Sequence, residues 1–511
     1  MKRALLSFLA VLLVAPSVPA AAAFDPHEGH DHAAVPAERL GTVHFAISCA
    51  PGVQADFDRA VALLHSFQYE DAERGFLALA ASDPQCAMAS WGVAMCNYHP
   101  IWGPTTQADF ERGRAAVEAA QARGGATDRE RAYIAAIVAY YQRPDTLDFP
   151  ARRAAYEGAM LRLHERFPDD MEGTIFTALA ILGNAPAGDR TYARQKQAAA
   201  LLNAVLPVAP DHPGVAHYLI HSLDYPPLAE LALPAARAYS KIAPSSPHAQ
   251  HMPSHIFTRL GLWDESIRSN LASDEAARRL MARTHPGATH FDGLHAMDYL
   301  AYAYLQLGQE DRAREVVERV ASVTNVDQET FSAAYAFAAV PARFALERHD
   351  WASASRLEAA PAWFPWARFP WAEALTQFGR GVGAARTGDL AGARRAMARL
   401  DTLYEAVHGA HAGYDWAPQV DVQRRALAAW IARAERRDED AVARLRAAAD
   451  LEDATDKHPV TPGALLPARE QLGDLLLELG RKREAAEAYE VVLRSSPGRR
   501  NSLRGLGRAR S

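Results

Sequence analysis

The chain has 511 residues, too many for one hydrophobic core of ordinary size, so it divides into domains or repeats. Apolar residues make up 49% and charged residues 23%, the balance of a folded globular protein. A net charge of -6, with no basic stripe interleaved with aromatics, gives no sign of nucleic acid as a partner.

The first 23 residues have the layout of a secretory signal. Lys2 and Arg3 precede the apolar run Ala4 to Val14, and Ala20 to Ala23 offer a small-residue cleavage site. That run is too short to span a bilayer, and no later stretch is apolar enough for a membrane span. The expectation is an exported, periplasmic protein. Residues 24–45 then read as a leader without periodicity, carrying the metal-friendly tract His27, His30 and His32.

Export gives meaning to the three cysteines. Cys49 and Cys86 each lie just ahead of a predicted first helix of a helix pair, and neighbouring helix starts are close in a stacked array. A Cys49–Cys86 disulfide is the expected pairing, with Cys96 a buried thiol; three reduced core cysteines are the alternative.

From residue 46 to 511 the pattern is one of helical pairs. Near the end, Leu472, Gly473 and Leu476 are followed by Ala485, Tyr489 and Pro497. Leu300, Tyr304, Ala313 and Val317 repeat this arrangement, as do Leu63, Ala72, Phe76 and Pro84. Gly381, Ala393 and Met397 mark another unit, and Ser266 with Asn270 a weaker one. Small residues where helices cross and bulky ones beside them are what close helix packing needs. Clear units fall near 53–86, 247–280, 294–325, 374–405 and 466–499, with degenerate ones in 100–210 and 340–375. In 359–374, Trp363, Trp366 and Trp371 among prolines read as a packed loop, or else as part of a groove. His99 with Trp102, and His458 with Pro459, read as helix-ending and helix-introducing loops.

This spacing resembles the tetratricopeptide repeat, a helix–turn–helix unit of about 34 residues. The resemblance implies an all-α, right-handed solenoid whose first helices line a concave face that binds peptides or partner proteins. LLHSFQYEDAERGF, DPQCAMASWGVAM, HMPSHIFTRLGLWDESIRSN and KHPVTPGALLPARE are similar to segments of exported bacterial tetratricopeptide proteins. That likeness assigns no activity to any position.

The chemistry lies in the histidines. His217 and His221 form one pair at four-residue spacing; His251 and His255 form a second, 34 residues further on. Four-residue spacing puts both imidazoles on one helix face, and one repeat period puts the two pairs on neighbouring helices. Asp224, His248, His290, His295 and Asp298 extend the set. Neutral imidazole is a ligand for Zn, Cu or Fe, and a carboxylate completes the set or fixes the tautomer. His217, His221, His251, His255 and His295 are therefore expected to converge on one metal-binding cavity, with Asp224 or Asp298 accepting an imidazole N–H. Pro253 works against this: a helix beginning there leaves His251 in the preceding loop. Between His217 and His221 there is no glutamate, so the zinc-peptidase base is missing. No phosphate loop or nucleophile elbow is present. Two functions compete: a solenoid that captures a peptide, protein or small molecule, and a metal-dependent enzyme or metal-trafficking factor.

Overall fold

Alanine and glycine at crossing points let helices approach closely, and the bulky residue beside them fills the gap; the last full pair shows how. Gly473 on helix Ala468–Glu478 and Gly505 on helix Arg500–Arg510 both lie against the Tyr489 ring, each at a distance that leaves no room for a Cβ. The computed structural model describes residues 38–142, 147–409 and 414–511, and Arg39–Ser511 forms one unit. The signal segment and the tract His27, His30 and His32 lie outside the described residues.

Helices follow one another in antiparallel pairs from Gln54–His65 with Tyr69–Ser82 to Ala468–Glu478 with Lys482–Ser495, and Arg500–Arg510 caps the stack. Each helix packs on the next, and alternate helices also touch. Among the described residues there is no strand, only an isolated bridge between Thr289 and Val326. The fold is an all-α helical-repeat solenoid. The pairs continue through 107–205, separated by longer connections at 97–106 and 184–192. Phe331–Leu346 is an irregular member, whose partner Trp351–Ala354 is short and leads into the aromatic segment around Trp366.

Buried apolar residues fall into two clusters, one from Leu40 to Phe257 and one from Trp263 to Ala509. The stack curls far enough to bring distant helices together: Gln54–His65 lies against Pro213–Leu223, and Phe291–Leu307 against Arg500–Arg510.

The expected leader is shorter than its predicted limit of residue 45. Leu40, Val43 and Phe45 are buried, with Phe45 among Phe57, Trp91 and Tyr133, because alternate apolar residues give this extended piece a face to bury. Cys49 and Cys86 form a disulfide, their Cα atoms 5.0 Å apart, and Cys96 is a free, buried thiol at the end of helix Ala87–Cys96. No helix of the described residues is long and apolar enough to cross a membrane.

Candidate metal centre

Three short stretches place the histidines. Helix Pro213–Leu223 starts on a proline, whose missing N–H costs nothing in the first turn, and it carries His217 and His221. Gly214 lets it lie against His65, whose ring would be 2.6 Å from a Cβ there. The next first helix runs Pro247–His251, passes through Met252 in helical conformation, and resumes as Pro253–Arg259. Pro253 therefore interrupts the hydrogen bonding without diverting the chain, and His251 stays one turn from His255. Helix Phe291–Leu307 brings His295.

The five histidines expected at one position divide instead between two, and His248 joins them. His217, His221 and His248 form one triad; His251, His255 and His295 form the other, with ligand atoms within 4.8 Å of one another in each. In the first, His217 Nε2 lies 3.0 Å from His221 Nε2 and 3.1 Å from His248 Nε2. In the second, His251 Nε2 and His255 Nε2 are 3.0 Å apart, and the His251 and His295 ring centres are 4.0 Å apart. Nitrogens held about 2.1 Å from one tetrahedral ion stand about 3.4 Å apart, close to these separations.

The outward nitrogens decide where the protons are. His251 Nδ1–H donates to Asn270 Oδ1 at 2.7 Å, and the Asn270 amide is oriented by its own donation to Ser266 O at 2.8 Å. His255 Nδ1–H donates to Asp224 Oδ2 at 3.0 Å, while Arg259 Nε–H holds the other Asp224 oxygen at 2.8 Å. With both protons on Nδ1, the two Nε2 atoms face each other as bare lone pairs. No hydrogen bond is available to them. The first triad repeats the arrangement: His217 Nδ1–H donates to His65 O at 2.6 Å, and His248 Nδ1 faces Asp292 Oδ1 at 3.5 Å. Outward donation to a carbonyl or carboxylate is how metal-ligating imidazoles are oriented.

Burial and the neighbouring imidazoles push His217, His221, His251 and His295 well below the ordinary histidine range. All four are neutral at pH 7, the form that ligates. Burial alone would raise the Asp224 carboxyl, but Lys457, Arg259 and His255 hold it far below the usual carboxylate range.

Two expected members stand apart. His290 caps helix Phe291–Leu307, its Nδ1 accepting from Asp292 N–H at 3.1 Å, and its Nε2 points to Asp327 at 3.4 Å; with both nitrogens engaged it has none to offer an ion. Asp298 turns to Arg343, 3.5 Å away, rather than to an imidazole. A further buried set, His65, Glu172 and His212, was not foreseen because its members lie far apart in sequence. There both imidazole Nε2–H groups donate to Glu172 at 2.9 Å, one to each carboxylate oxygen.

A cavity of about 780 Å³ opens between the two apolar clusters. Half-buried His221 is on its wall, with Asp224, Trp102, Trp371, Trp416 and His458. Trp371 and Trp416 stack at 4.0 Å, and Trp416 on His458 at 4.9 Å. The loops around Trp102 and His458, and Trp371 at the head of helix Pro370–Thr387, thus form part of a ligand-sized space as well as connecting helices.

The profile of the tetratricopeptide repeat matches residues 466–498, spanning the last helix pair. The last helix pair is thus a tetratricopeptide repeat within a helical-repeat solenoid. No curated protein matches its sequence significantly. Among solved structures, it is similar to the human IFIT1 dimer with m7Gppp-AAAA at 12% identity, covering 82% of this chain and 89% of that one, with a TM-score of 0.37. Yeast Tom70 aligns at 11% identity over 89% of this chain and 94% of its own, TM-score 0.33. Cut9 from the APC/C hetero-tetramer Cut9-Hcn1 aligns at 11% over 90% and 83%, TM-score 0.32. Helical-repeat arrays of this kind build extended recognition surfaces.

Proposed function

We propose that this exported tetratricopeptide solenoid holds a transition-metal ion (Zn, Cu or Fe) in its histidine cluster and receives a peptide, protein end or small molecule in the adjoining cavity. One observation carries the reading: His251 and His255 aim unprotonated Nε2 atoms at each other across 3.0 Å, with both Nδ1 protons committed elsewhere. Two facing lone pairs in a buried site repel each other, and a cation between them turns that repulsion into two bonds. A cavity of about 780 Å³ is within the usual range for small-molecule sites. Plasma emission on protein purified without chelators tests the reading. Metal in stoichiometric amount, lost when His251 and His255 are both changed to alanine, is the expected result. Protein that holds no metal after incubation with Zn(II) or Cu(II) contradicts it.

A metal-dependent enzyme is the second reading, favoured by the position of His221 on the cavity wall. An ion held by His217, His221 and His248 would lie beside the cavity, and catalytic metal sites leave one position open to substrate. Export rests on the Lys2–Arg3 start and the apolar run after it, and is tested by finding a mature N-terminus near Phe24 in the periplasmic fraction.

A further inference from the structure

We infer that the histidine cluster is a pair of adjacent metal sites, His217/His221/His248 and His251/His255/His295, each holding its own imidazole-seeking first-row ion, and that copper is the ion bound most tightly. This rests on the metal-binding reading above and adds stoichiometry, ion class and accessibility to it.

Each triad is complete in itself. The first is oriented by His65 O and Asp292, the second by Asn270 and Asp224, with no outward partner in common. Each also has its own aromatic wall. Phe67 lies 4.4 Å from His217 and 5.6 Å from both His221 and His248; Tyr299 lies 4.8 to 5.3 Å from the three rings of the second triad. The bridge between them is one helical turn, Pro247–His251, which sends His248 to one triad and His251 to the other. The triads adjoin, since His248 and His251 lie three residues apart on that one turn.

The donor set selects the ion. Three neutral imidazoles, with no carboxylate or thiolate among the ligands, suit zinc, copper and nickel and disfavour Mg, Ca and Mn; affinity among the divalent ions peaks at copper. Accessibility separates the two sites. The first borders the cavity through half-buried His221, whereas His251, His255 and His295 are at most 5% exposed. The first ion exchanges and meets ligands from the cavity; the second is sealed.

The test uses the full mature chain with His27, His30 and His32 changed to alanine, so that the leader contributes no binding, stripped by chelator and titrated with Cu(II). Two equivalents should bind, with an electron paramagnetic resonance spectrum showing dipolar coupling between neighbouring coppers. His221→Ala should lose one equivalent, and so should His255→Ala; in each the remaining copper should give an uncoupled spectrum. His221→Ala opens space at a half-buried position, so it keeps the experiment decisive if His255→Ala fails to fold. From the doubly loaded protein a chelator should remove one equivalent at least tenfold faster than the other. One equivalent in the parent chain overturns the paired-site inference and leaves the metal-binding reading standing. Two equivalents without coupling overturn it as well. No bound copper or zinc at all overturns both.

Discussion

Asn270 shows how one side chain separates a structural repeat from a site. Its place in the repeat pattern is one that Tyr489 and Phe76 fill with a large ring, yet here a buried amide accepts the His251 proton at 2.7 Å. Replacing it with leucine leaves that N–H unsatisfied and frees the tautomer. Metal affinity should fall about 10–100-fold, read by competition with a chromophoric chelator, because outward partners of ligating histidines have effects of that size. Asp298 offers a cleaner titration, since it lies outside both triads. Burial raises its carboxyl to about 6 against an ordinary 3.8, and Arg343 only partly offsets this. Between those two values the unfolded chain has released the proton while the folded one keeps it. Wild type therefore loses stability through this group as pH rises across the window, by about 1.4 kcal/mol per pH unit. In Asp298→Asn that contribution vanishes. Urea unfolding of both proteins across the window should show wild type losing ground steadily to the variant; a constant difference would contradict the assignment.

Helix pairing depends on close approach, and Gly473 makes such an approach to an anchored neighbour. A Cβ there would sit 2.8 Å from the Tyr489 ring, which is fully buried and anchored by donation to Asp474 at 2.6 Å. Gly473→Leu should cost about 1–3 kcal/mol by overpacking, measured as a lower urea midpoint with unchanged metal content. The same sterics explain Gly214, where the approach to His65 is what lets His217 reach the His65 carbonyl. At the other end of the chain, the Cys49–Cys86 disulfide closes a 37-residue separation and ties the segment before the first helix to the start of the third. Reduction should lower stability by about 2–4 kcal/mol through loop entropy returned to the unfolded chain, seen as a drop in melting temperature with dithiothreitol.

At the scale of the whole molecule, a buried polar network ties together helices distant in sequence. Arg499 is fully buried and donates to Glu470 at 2.7 and 2.8 Å, to Glu347 at 2.7 Å and to the Tyr302 hydroxyl at 3.2 Å, joining the capping helix to repeats far earlier in the chain. Arg499→Met strips two buried carboxylates of their partner and should cost about 3–5 kcal/mol in urea unfolding, far more than an exposed pair is worth. Across the cavity, Arg190 reaches Asp456 at 2.9 Å, joining loops of the two halves. This curl brings the first triad, built within the first half, beside the second, which borrows His295 from the other.

The repeat architecture was written locally. Small, large and proline positions recur at helical spacing, each helix buries a face only against its sequence neighbours, and so the pattern alone predicts a solenoid. The 34-residue interval between the two histidine pairs carried the same kind of information, since equivalent positions in adjacent repeats face the same wall. Spacing along a helix does not say which rings come together. That depended on the turn Pro247–His251 aiming His248 and His251 at different triads, on Pro253 leaving the helical path intact, and on His290 being consumed as a cap. Nor does the spacing of the histidines announce Asn270, Asp292 or Trp416 as their neighbours, because these meet through the packing of different helices and loops. Local periodicity sets which face a side chain is on; only the curl of the whole chain sets what it meets there.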